Sequence, residues 1–370
     1  MTAEFSVAFP RTSKIIHEGI SLRWHLGMQL YVSQGGQPLA DVAIGQNYEG
    51  DPLRTDHLML WMSSGKPLTA AAILQLVDQG ELSLNQPVRD WIPEFAGGSK
   101  GSVTVKHILT HTVGLRPINS GWPHLEWGEI LNTISAAPIR EGWQLGLKAG
   151  YDPNRTWFVL GEILRRAYSL PVDQVLREQV LEPLRMRQSW LAIPEHLQAP
   201  YRDQIGVMHE LKDGELLPTK GHEDQILSRP SPGSSMRGPA REMGLFYEML
   251  LREGKLPDGT SFLSPETVLQ MTARQREGIF DQTFQHTLDF GLGLIINSRR
   301  YGQETVPYGF GDSAGENAFG HGGAQSSIGF ADPEHQLVVV AIANGCPGEP
   351  AHQQRNRRIN NAIYEDLGIA

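Results

Sequence analysis

The 370-residue chain carries 32 lysines and arginines against 41 aspartates and glutamates, a formal net charge of −9. Because no basic block offsets this surplus, the composition argues against nucleic acid or an anionic membrane as a partner. A single cysteine, Cys346, excludes an internal disulfide framework, and with 40% apolar and 20% charged residues the chain can bury one large core or two smaller ones.

The first ten residues contain no basic region followed by an apolar run, and no later stretch has the length of a membrane span. We therefore expect a cytoplasmic protein with no membrane partner.

Predicted strands lie near both ends of the chain, with helical patterns between them. Residues 27–33 and 39–45 flank a Gln-Gly-Gly-Gln turn and predict a hairpin. Residues 327–331 and 336–344 flank an Asp-Pro-Glu-His turn and predict a second hairpin, followed by a helix across about residues 353–367. The helical patterns between the hairpins cover residues 67–79, 156–167, 172–180, 241–252 and 265–272.

This order predicts an α+β fold: one antiparallel sheet formed by both ends of the chain and flanked by helices, with a mostly helical domain inserted. We expect residues 1–60 and 285–370 to form the sheet domain and residues 61–284 the helical domain. The active site would lie between the two domains.

Ser63 and Lys66 stand three residues apart where the first central helix begins. A serine hydroxyl is a poor nucleophile at neutral pH, so a base must take its proton as it attacks a carbonyl carbon. Positions i and i+3 share a helix face, and a partly buried lysine can have its pKa lowered far enough to act as that base. The helix N-terminus would favour an oxyanion on the adduct. The bare Ser-x-x-Lys pattern is more often a chance match, so its context decides.

That context resembles the serine β-lactamase-like superfamily, which includes class C β-lactamases, D-Ala-D-Ala carboxypeptidases, D-aminopeptidases, family VIII carboxylesterases and acyltransferases. The resemblance covers the chain from about Gly27 to the C-terminus, and it rests on residues 61–88, 103–115, 232–243 and 319–323. It implies a β-lactamase/transpeptidase-like fold and a reaction through an acyl-Ser63 intermediate.

His321, Gly322 and Gly323 resemble the Lys-Thr-Gly or Lys-Ser-Gly triplet that lines the active site on a strand of this superfamily. The glycines would let substrate lie against the strand, and the N–H of Ala324 would complete an oxyanion hole with that of Ser63. Histidine in place of lysine removes a positive charge that penicillin-recognising members use near the substrate carboxylate. A neutral or switchable histidine suits an uncharged ester better. A glycine-rich strand entry with an incidental histidine is the alternative.

The Tyr-x-Asn motif of the superfamily has an irregular counterpart here, Tyr151-Asp152-Pro153-Asn154, which is one residue too long. A phenol near two cations would have a lowered pKa and could relay the Ser63 proton to the leaving group. Tyr151 is therefore the candidate relay and Asn154 a candidate substrate-binding residue. The alternative is a tyrosine packed at a helix entry with Asn154 as N-cap; Lys66 would then transfer the proton with water or His321.

Two further patterns are interpreted as structural. Residues 97–101 spell Gly-x-Ser-x-Gly, but a nucleophile elbow needs a strand before it and a helix after it, and this stretch precedes a β-rich segment. His107 and His111 have the spacing of a zinc helix without the glutamate of His-Glu-x-x-His and without an evident third ligand. We expect no metal and no cofactor.

Three classes of function follow. The leading class is a serine hydrolase, foremost a carboxylesterase on small esters or amides, and an acyltransferase would use the same residues. The second is a D,D-peptidase or β-lactamase, disfavoured by His321 and by the missing export signal. The third is a non-catalytic binding or sensor protein, disfavoured by the intact Ser63 and Lys66. The acyl group is not readable from the sequence, although residues 120–127 and 284–290 are candidates to line its pocket as well as to pack the domains.

Overall fold

The computed structural model describes residues 2–370 and is built around an eight-stranded antiparallel sheet. In chain order its strands are β1 (Gly27–Gln34), β2 (Gln37–Tyr48), β3 (Asp51–Pro52), β4 (Asp289–Phe290), β5 (Ile295–Ile296), β6 (Phe319–Gly323), β7 (Ser327–Asp332) and β8 (Leu337–Ala343). Their spatial order is β4-β5-β6-β7-β8-β1-β2-β3. The two ends of the chain therefore meet at the β8–β1 pair, where Met28 lies opposite Ala343.

Strand β8 shows why the centre of the sheet is stable. It reads Leu-Val-Val-Val-Ala-Ile-Ala and is buried at every residue, because β-branched side chains suit a pleated surface covered on both faces. Alternate residues face opposite sides. Val338, Val340 and Ile342 belong to the larger apolar core, whereas Leu337 and Val339 belong to a second core on the other face.

Helices cover both faces of the sheet. They are α1 (Thr2–Ala8), α2 (Pro10–Ser21), α3 (Lys66–Asp78), α4 (Val105–Leu109), α5 (Trp127–Ala136), α6 (Arg155–Tyr168), α7 (Val172–Leu176), α8 (Glu195–Gln198), α9 (Asp224–Leu227), α10 (Ala240–Leu251), α11 (Pro265–Thr272) and α12 (Glu349–Asp366). Helix α10 packs on β1, β7 and β8 from one side, and α2 packs against α12 on the other. Within residues 2–370, no helix has the length and apolar composition needed to cross a membrane.

Shorter elements lie outside the main sheet. Strands Met59–Leu60 and Arg237–Gly238 form one pair, Phe280–Asp281 and His286–Thr287 another, and His209–Lys212 pairs with both Glu215–Pro218 and Gly345–Cys346. A 3₁₀ turn, Met62–Gly65, leads directly into α3, and a π-helical turn, Arg177–Leu181, continues α7.

The predicted fold class is confirmed, as are both hairpins. The C-terminal helix begins at Glu349, earlier than predicted, and the helix predicted over residues 172–180 leaves α-helical geometry after Leu176. Helices α1, α2, α4, α5, α8 and α9 were not predicted. The two-domain division stays a prediction, and α10, which lies in the predicted helical domain, packs on the sheet.

Helix α3 fixes the position of Lys66 and of the turn before it, which carries Ser63, the predicted nucleophile. Its residues from Lys66 to Leu74 are all buried, so it is apolar around most of its circumference and runs through the larger core. Strand β6 packs against the turn Met62–Gly65 at the start of this helix. The fold therefore holds Ser63 and Lys66 beside the strand that carries the His-Gly-Gly triplet.

Candidate active site

Ser63 lies in the 3₁₀ turn rather than in α3 itself, since the α-helix begins at Lys66. The preceding residue, Met62, has φ of +51°, a left-handed conformation that is uncommon for a residue with a side chain. Pro67 in the first turn of α3 suits the helix start. The turn leaves Ser63 at the surface edge of the core, with 9% of the residue exposed.

Lys66 is fully buried and its Nζ has three oxygen neighbours. Nζ lies 2.9 Å from the Ser63 Oγ and 2.6 Å from each of the carbonyl oxygens of Pro153 and Gly233. The aromatic rings of Tyr151 and Trp157 complete the enclosure, each with its centroid 5.3 Å from Nζ. The lysine is therefore held against the candidate nucleophile by backbone carbonyls and aromatic rings.

Burial determines the protonation of Lys66. Loss of solvent lowers the pKa of its ammonium to about 7, and the nearby Asp152 carboxylate opposes that lowering only in part. A neutral Lys66 therefore forms readily near neutral pH. The two N–H bonds of the neutral amine can donate to the carbonyls of Pro153 and Gly233, and its lone pair can then accept the Ser63 hydroxyl. This is the geometry that a general base requires.

Tyr151 also contacts Ser63, the candidate nucleophile. Its hydroxyl interacts with Ser63, and its ring lies over Lys66. The expected lowering of the Tyr151 pKa is wrong: full burial raises it well above the usual value, and the hydrogen bond with Ser63 offsets this only partly. Tyr151 is thus a neutral phenol, whose hydroxyl can both donate and accept a hydrogen bond.

The segment that follows Tyr151 contacts Lys66 through its backbone. The Pro153 oxygen, rather than Asn154, contacts Lys66. Asn154 is the N-cap residue of α6 but its side chain makes no capping bond; its Oδ1 accepts from the Ser231 hydroxyl at 2.6 Å. Asp152 Oδ1 takes the capping role and accepts the Arg155 N–H at 2.9 Å.

Neighbouring protein atoms leave no room for a side chain at either glycine of the triplet. A Cβ on Gly322 would lie 1.9 Å from Cδ1 of Tyr308, and one on Gly323 would lie 2.3 Å from the Trp61 carbonyl oxygen and 2.2 Å from the Ser327 hydroxyl. Gly323 therefore lets β6 approach the start of the Met62–Gly65 turn, whereas Gly322 leaves room for the Tyr308 ring. Ala324, the next residue, is exposed.

His321 is neutral. Its ring is buried, and burial together with the Lys66 charge lowers its pKa to about 3. Nδ1 lies 2.7 Å from the Gly322 carbonyl oxygen, so this nitrogen carries the proton. The ring centroid lies 5.9 Å from that of Tyr151. The strand thus presents an uncharged imidazole to the site.

The second serine of the pair is engaged differently. Ser64 is fully buried, and its hydroxyl donates to the His321 carbonyl at 3.0 Å. Ser64 therefore links the Met62–Gly65 turn to β6 by a hydrogen bond, whereas the Ser63 hydroxyl contacts Lys66.

The two patterns interpreted as structural do not form a nucleophile elbow or a metal site, although His111 packs beside Tyr151. Ser99 lies in a 3₁₀ turn, Gly98–Ser102, not in a strand–turn–helix elbow. His111 accepts the Asp152 N–H at 3.1 Å and packs against the Tyr151 ring, while His107 caps α4. Within residues 2–370, no three His, Cys, Asp or Glu side chains are grouped so that they could hold a metal ion.

Sequence reasoning missed three contributors: the carbonyls of Pro153 and Gly233 and the side chain of Asp281. Asp281 Oδ1 accepts the Tyr151 N–H at 3.0 Å, and its Oδ2 pairs with Arg276 at 3.1 Å. Any residue type supplies a backbone carbonyl, so the sequence does not mark the carbonyls that contact Lys66. Asp281 lies 130 residues from Tyr151 in the chain. No local pattern reveals such contacts.

The two stretches expected to line the pocket differ in position. The Phe284 ring packs on Tyr151 with centroids 4.7 Å apart, which places this residue beside the site. Trp122, Leu125 and Trp127 line a surface cleft of about 500 Å³ whose lining does not include Ser63 or Lys66.

Comparison with known proteins finds relatives that match most of the chain. The family model Beta-lactamase matches residues 13–363. Esterase EstB of Burkholderia gladioli is 28% identical over 368 residues, covering 90% of each chain. The solved structure of a novel penicillin-binding protein homolog from Caulobacter crescentus has a TM-score of 0.78 at 25% identity, over 97% of this chain and 98% of that one. EstCE1, a hydrolase with promiscuous acyltransferase activity, has a TM-score of 0.79 at 19% identity, over 96% and 98%, which shows a shared fold.

Proposed function

Since the chain belongs to the Beta-lactamase family of serine hydrolases, we propose that it is a carboxylesterase that cleaves small uncharged esters through an acyl-Ser63 intermediate. The observation that carries the proposal is the surroundings of Lys66. Two carbonyls at 2.6 Å match the N–H bonds of a neutral amine and leave its lone pair for the Ser63 hydroxyl at 2.9 Å. The similarity to an esterase over 90% of the chain supports the same reaction.

The acylation step uses Ser63, Lys66 and Tyr151. As the Ser63 Oγ bonds to the ester carbonyl carbon, its proton passes to Lys66 Nζ. The N–H groups of Ser63 and Ala324 stabilise the negative oxygen of the tetrahedral intermediate. The C–O bond to the alcohol then breaks, and the leaving oxygen takes a proton from the Tyr151 phenol, which Lys66 reprotonates. Water attacks the acyl-enzyme by the same route in reverse.

The charge of the site favours an uncharged substrate. The residue at the first position of the triplet, His321, has a pKa of about 3 and carries no charge at neutral pH. A β-lactam carboxylate would lack the cation that the superfamily's Lys-Thr-Gly triplet supplies. An ester without a carboxylate needs no such partner, so esters are the preferred class over β-lactams.

The test compares three proteins on two substrates: the wild type, Ser63→Ala and the control Ser64→Ala, with p-nitrophenyl butyrate and nitrocefin. We expect ester turnover in the wild type, substantial turnover in Ser64→Ala and none above background in Ser63→Ala, with negligible nitrocefin cleavage. Equal rates in wild type and Ser63→Ala would exclude this nucleophile, whereas faster nitrocefin turnover would assign the protein to the β-lactamase class.

Two finer points belong to the same proposal. Added primary alcohol would yield a transesterified product if the acyl-enzyme accepts alcohols as well as water, which is the acyltransferase alternative. We also propose a cytoplasmic location, which cell fractionation of the native host tests.

A further inference from the structure

Arg355 is a buried cation without an anionic partner. It lies on α12, is 2% exposed, and forms no ion pair with a carboxylate of residues 2–370. Burial lowers the pKa of its guanidinium to about 10, so the group remains charged at neutral pH. A buried charge with no counter-ion is costly, and the fold retains it only where many hydrogen bonds satisfy it.

The guanidinium joins four separate segments of the chain. Its neighbours are the carbonyl oxygens of Gln325 (2.8 Å), Trp24 (2.9 Å) and Gly345 (3.3 Å), and Nδ1 of His352 (3.2 Å) and His25 (3.3 Å). Burial and the Arg355 charge hold the pKa of both histidines well below the usual value, so both rings are neutral acceptors. The planar fork of arginine suits several fixed acceptors better than a lysine ammonium does.

One of these segments is the turn between β6 and β7, which contains Ala324. Gln325 adopts φ of +52°, its carbonyl accepts from Arg355, and its side-chain oxygen accepts the Gly348 N–H at 2.7 Å. The Ser326 N–H donates to the Gly323 carbonyl at 3.1 Å. In a trans peptide the N–H points away from the preceding carbonyl, so this bond directs the Ala324 N–H out of the turn.

We propose that Arg355 is a positioning residue for the oxyanion hole: it holds the turn through the Gln325 carbonyl so that the Ala324 N–H faces the substrate oxygen. The inference rests on the proposed function.

The test uses Arg355→Met, Arg355→Lys and the matched control Arg358→Met. Arg358 lies one turn further along α12 and pairs with Glu18 at the surface, so its loss removes an arginine from the same helix without affecting the turn. For each protein, kcat and KM are measured with p-nitrophenyl butyrate, and the melting temperature is recorded. Each kcat is expressed per active serine, counted by titration with a fluorophosphonate. Hydrogen exchange of the amides at residues 324–326 is measured in parallel.

Loss of a direct oxyanion-hole donor costs about 10²–10³ in kcat, so a residue that acts through the turn should cost about 10–100-fold. We expect that fall in Arg355→Met, a smaller fall in Arg355→Lys, little change in KM, and control values near the wild type. Exchange at residues 324–326 should quicken in Arg355→Met alone. A merely structural role would lower the melting temperature and the titratable fraction but not kcat per titrated serine.

Equal kcat per titrated serine in Arg355→Met and the control would overturn the inference, and Arg355→Lys decides in the same way if the methionine variant does not fold. A wild type that the fluorophosphonate does not label would instead overturn the proposed function. In that case unchanged exchange in the Arg355 variants would overturn the positioning of the turn as well, and quickened exchange would support it.

Discussion

The rate of ester hydrolysis should rise with pH as Lys66 loses its proton. The pKa of this buried group is lowered to about 7, and only its neutral form has a lone pair for the Ser63 proton. No histidine at the site titrates in the same range, because the pKa of His321 is about 3 and that of His111 lies well below its usual value. The acidic side of the profile therefore reports on Lys66.

The expected magnitude follows from the pKa of about 7. The neutral fraction is about 0.09 at pH 6 and about 0.9 at pH 8, so kcat/KM should rise about tenfold across this range. Below about pH 6 it should change about tenfold per pH unit. The assay is the initial rate with p-nitrophenyl butyrate, recorded at the isosbestic wavelength of the phenol and phenolate so that product ionisation does not distort the profile.

Asp152→Asn gives the reasoning a directional test. The Asp152 carboxylate raises the Lys66 pKa, so its removal should move the acidic side of the profile to lower pH. Asparagine keeps an oxygen for the Asn154 and Arg155 N–H groups that Asp152 caps. A wild-type profile that is flat from about pH 5.5 to 8 would refute Lys66 as the base, and a shift to higher pH in the variant would refute the electrostatic assignment.

Three further substitutions test individual contacts. Tyr151→Phe should lower kcat by about 10²–10⁴ while Ser63 still reacts with a fluorophosphonate; a kcat close to the wild type would exclude the relay. Gly323→Ala places a Cβ 2.3 Å from the Trp61 carbonyl oxygen. It should lower the free energy of unfolding, measured by urea titration, by about 1–3 kcal/mol. An unchanged midpoint would show that β6 can move away from Trp61 without loss of stability. Asp281→Ala leaves the buried Arg276 without its carboxylate partner and should lower the free energy of unfolding by about 3–5 kcal/mol. It should also lower kcat, because the Tyr151 N–H loses its acceptor; full activity would mean that this hydrogen bond is dispensable.

The sequence predicted the parts of the site that are local in the chain. Ser63 and Lys66 are one turn apart, so their contact follows from helix geometry once the start of α3 is recognised. The sequence left His321 as a neutral or switchable histidine, and its burial in the folded chain favours the neutral form. The sign of the Tyr151 pKa shift was wrong because the depth of burial, which raises it, depends on contacts with Phe284 and His111 from distant segments.

A similar distinction holds for the fold. Strand β8 is rich in β-branched residues, and the Asp-Pro-Glu-His turn identifies β7 as its hairpin partner, so both can be predicted. Strands β3, β4 and β5 have two residues each and exist only because a neighbouring strand pairs with them. The pairing of β8 with β1 joins residues more than 300 positions apart. Register of that kind comes from the packed core and not from a local pattern.

The most direct test of Ser63 as nucleophile is mass spectrometry of the protein after rapid acid quench during turnover of p-nitrophenyl butyrate. We predict a butyryl group on the peptide that contains Ser63, present in the wild type and in Ser64→Ala and absent in Ser63→Ala. A butyryl group retained in Ser63→Ala, or found on another residue of the wild type, would contradict the assignment.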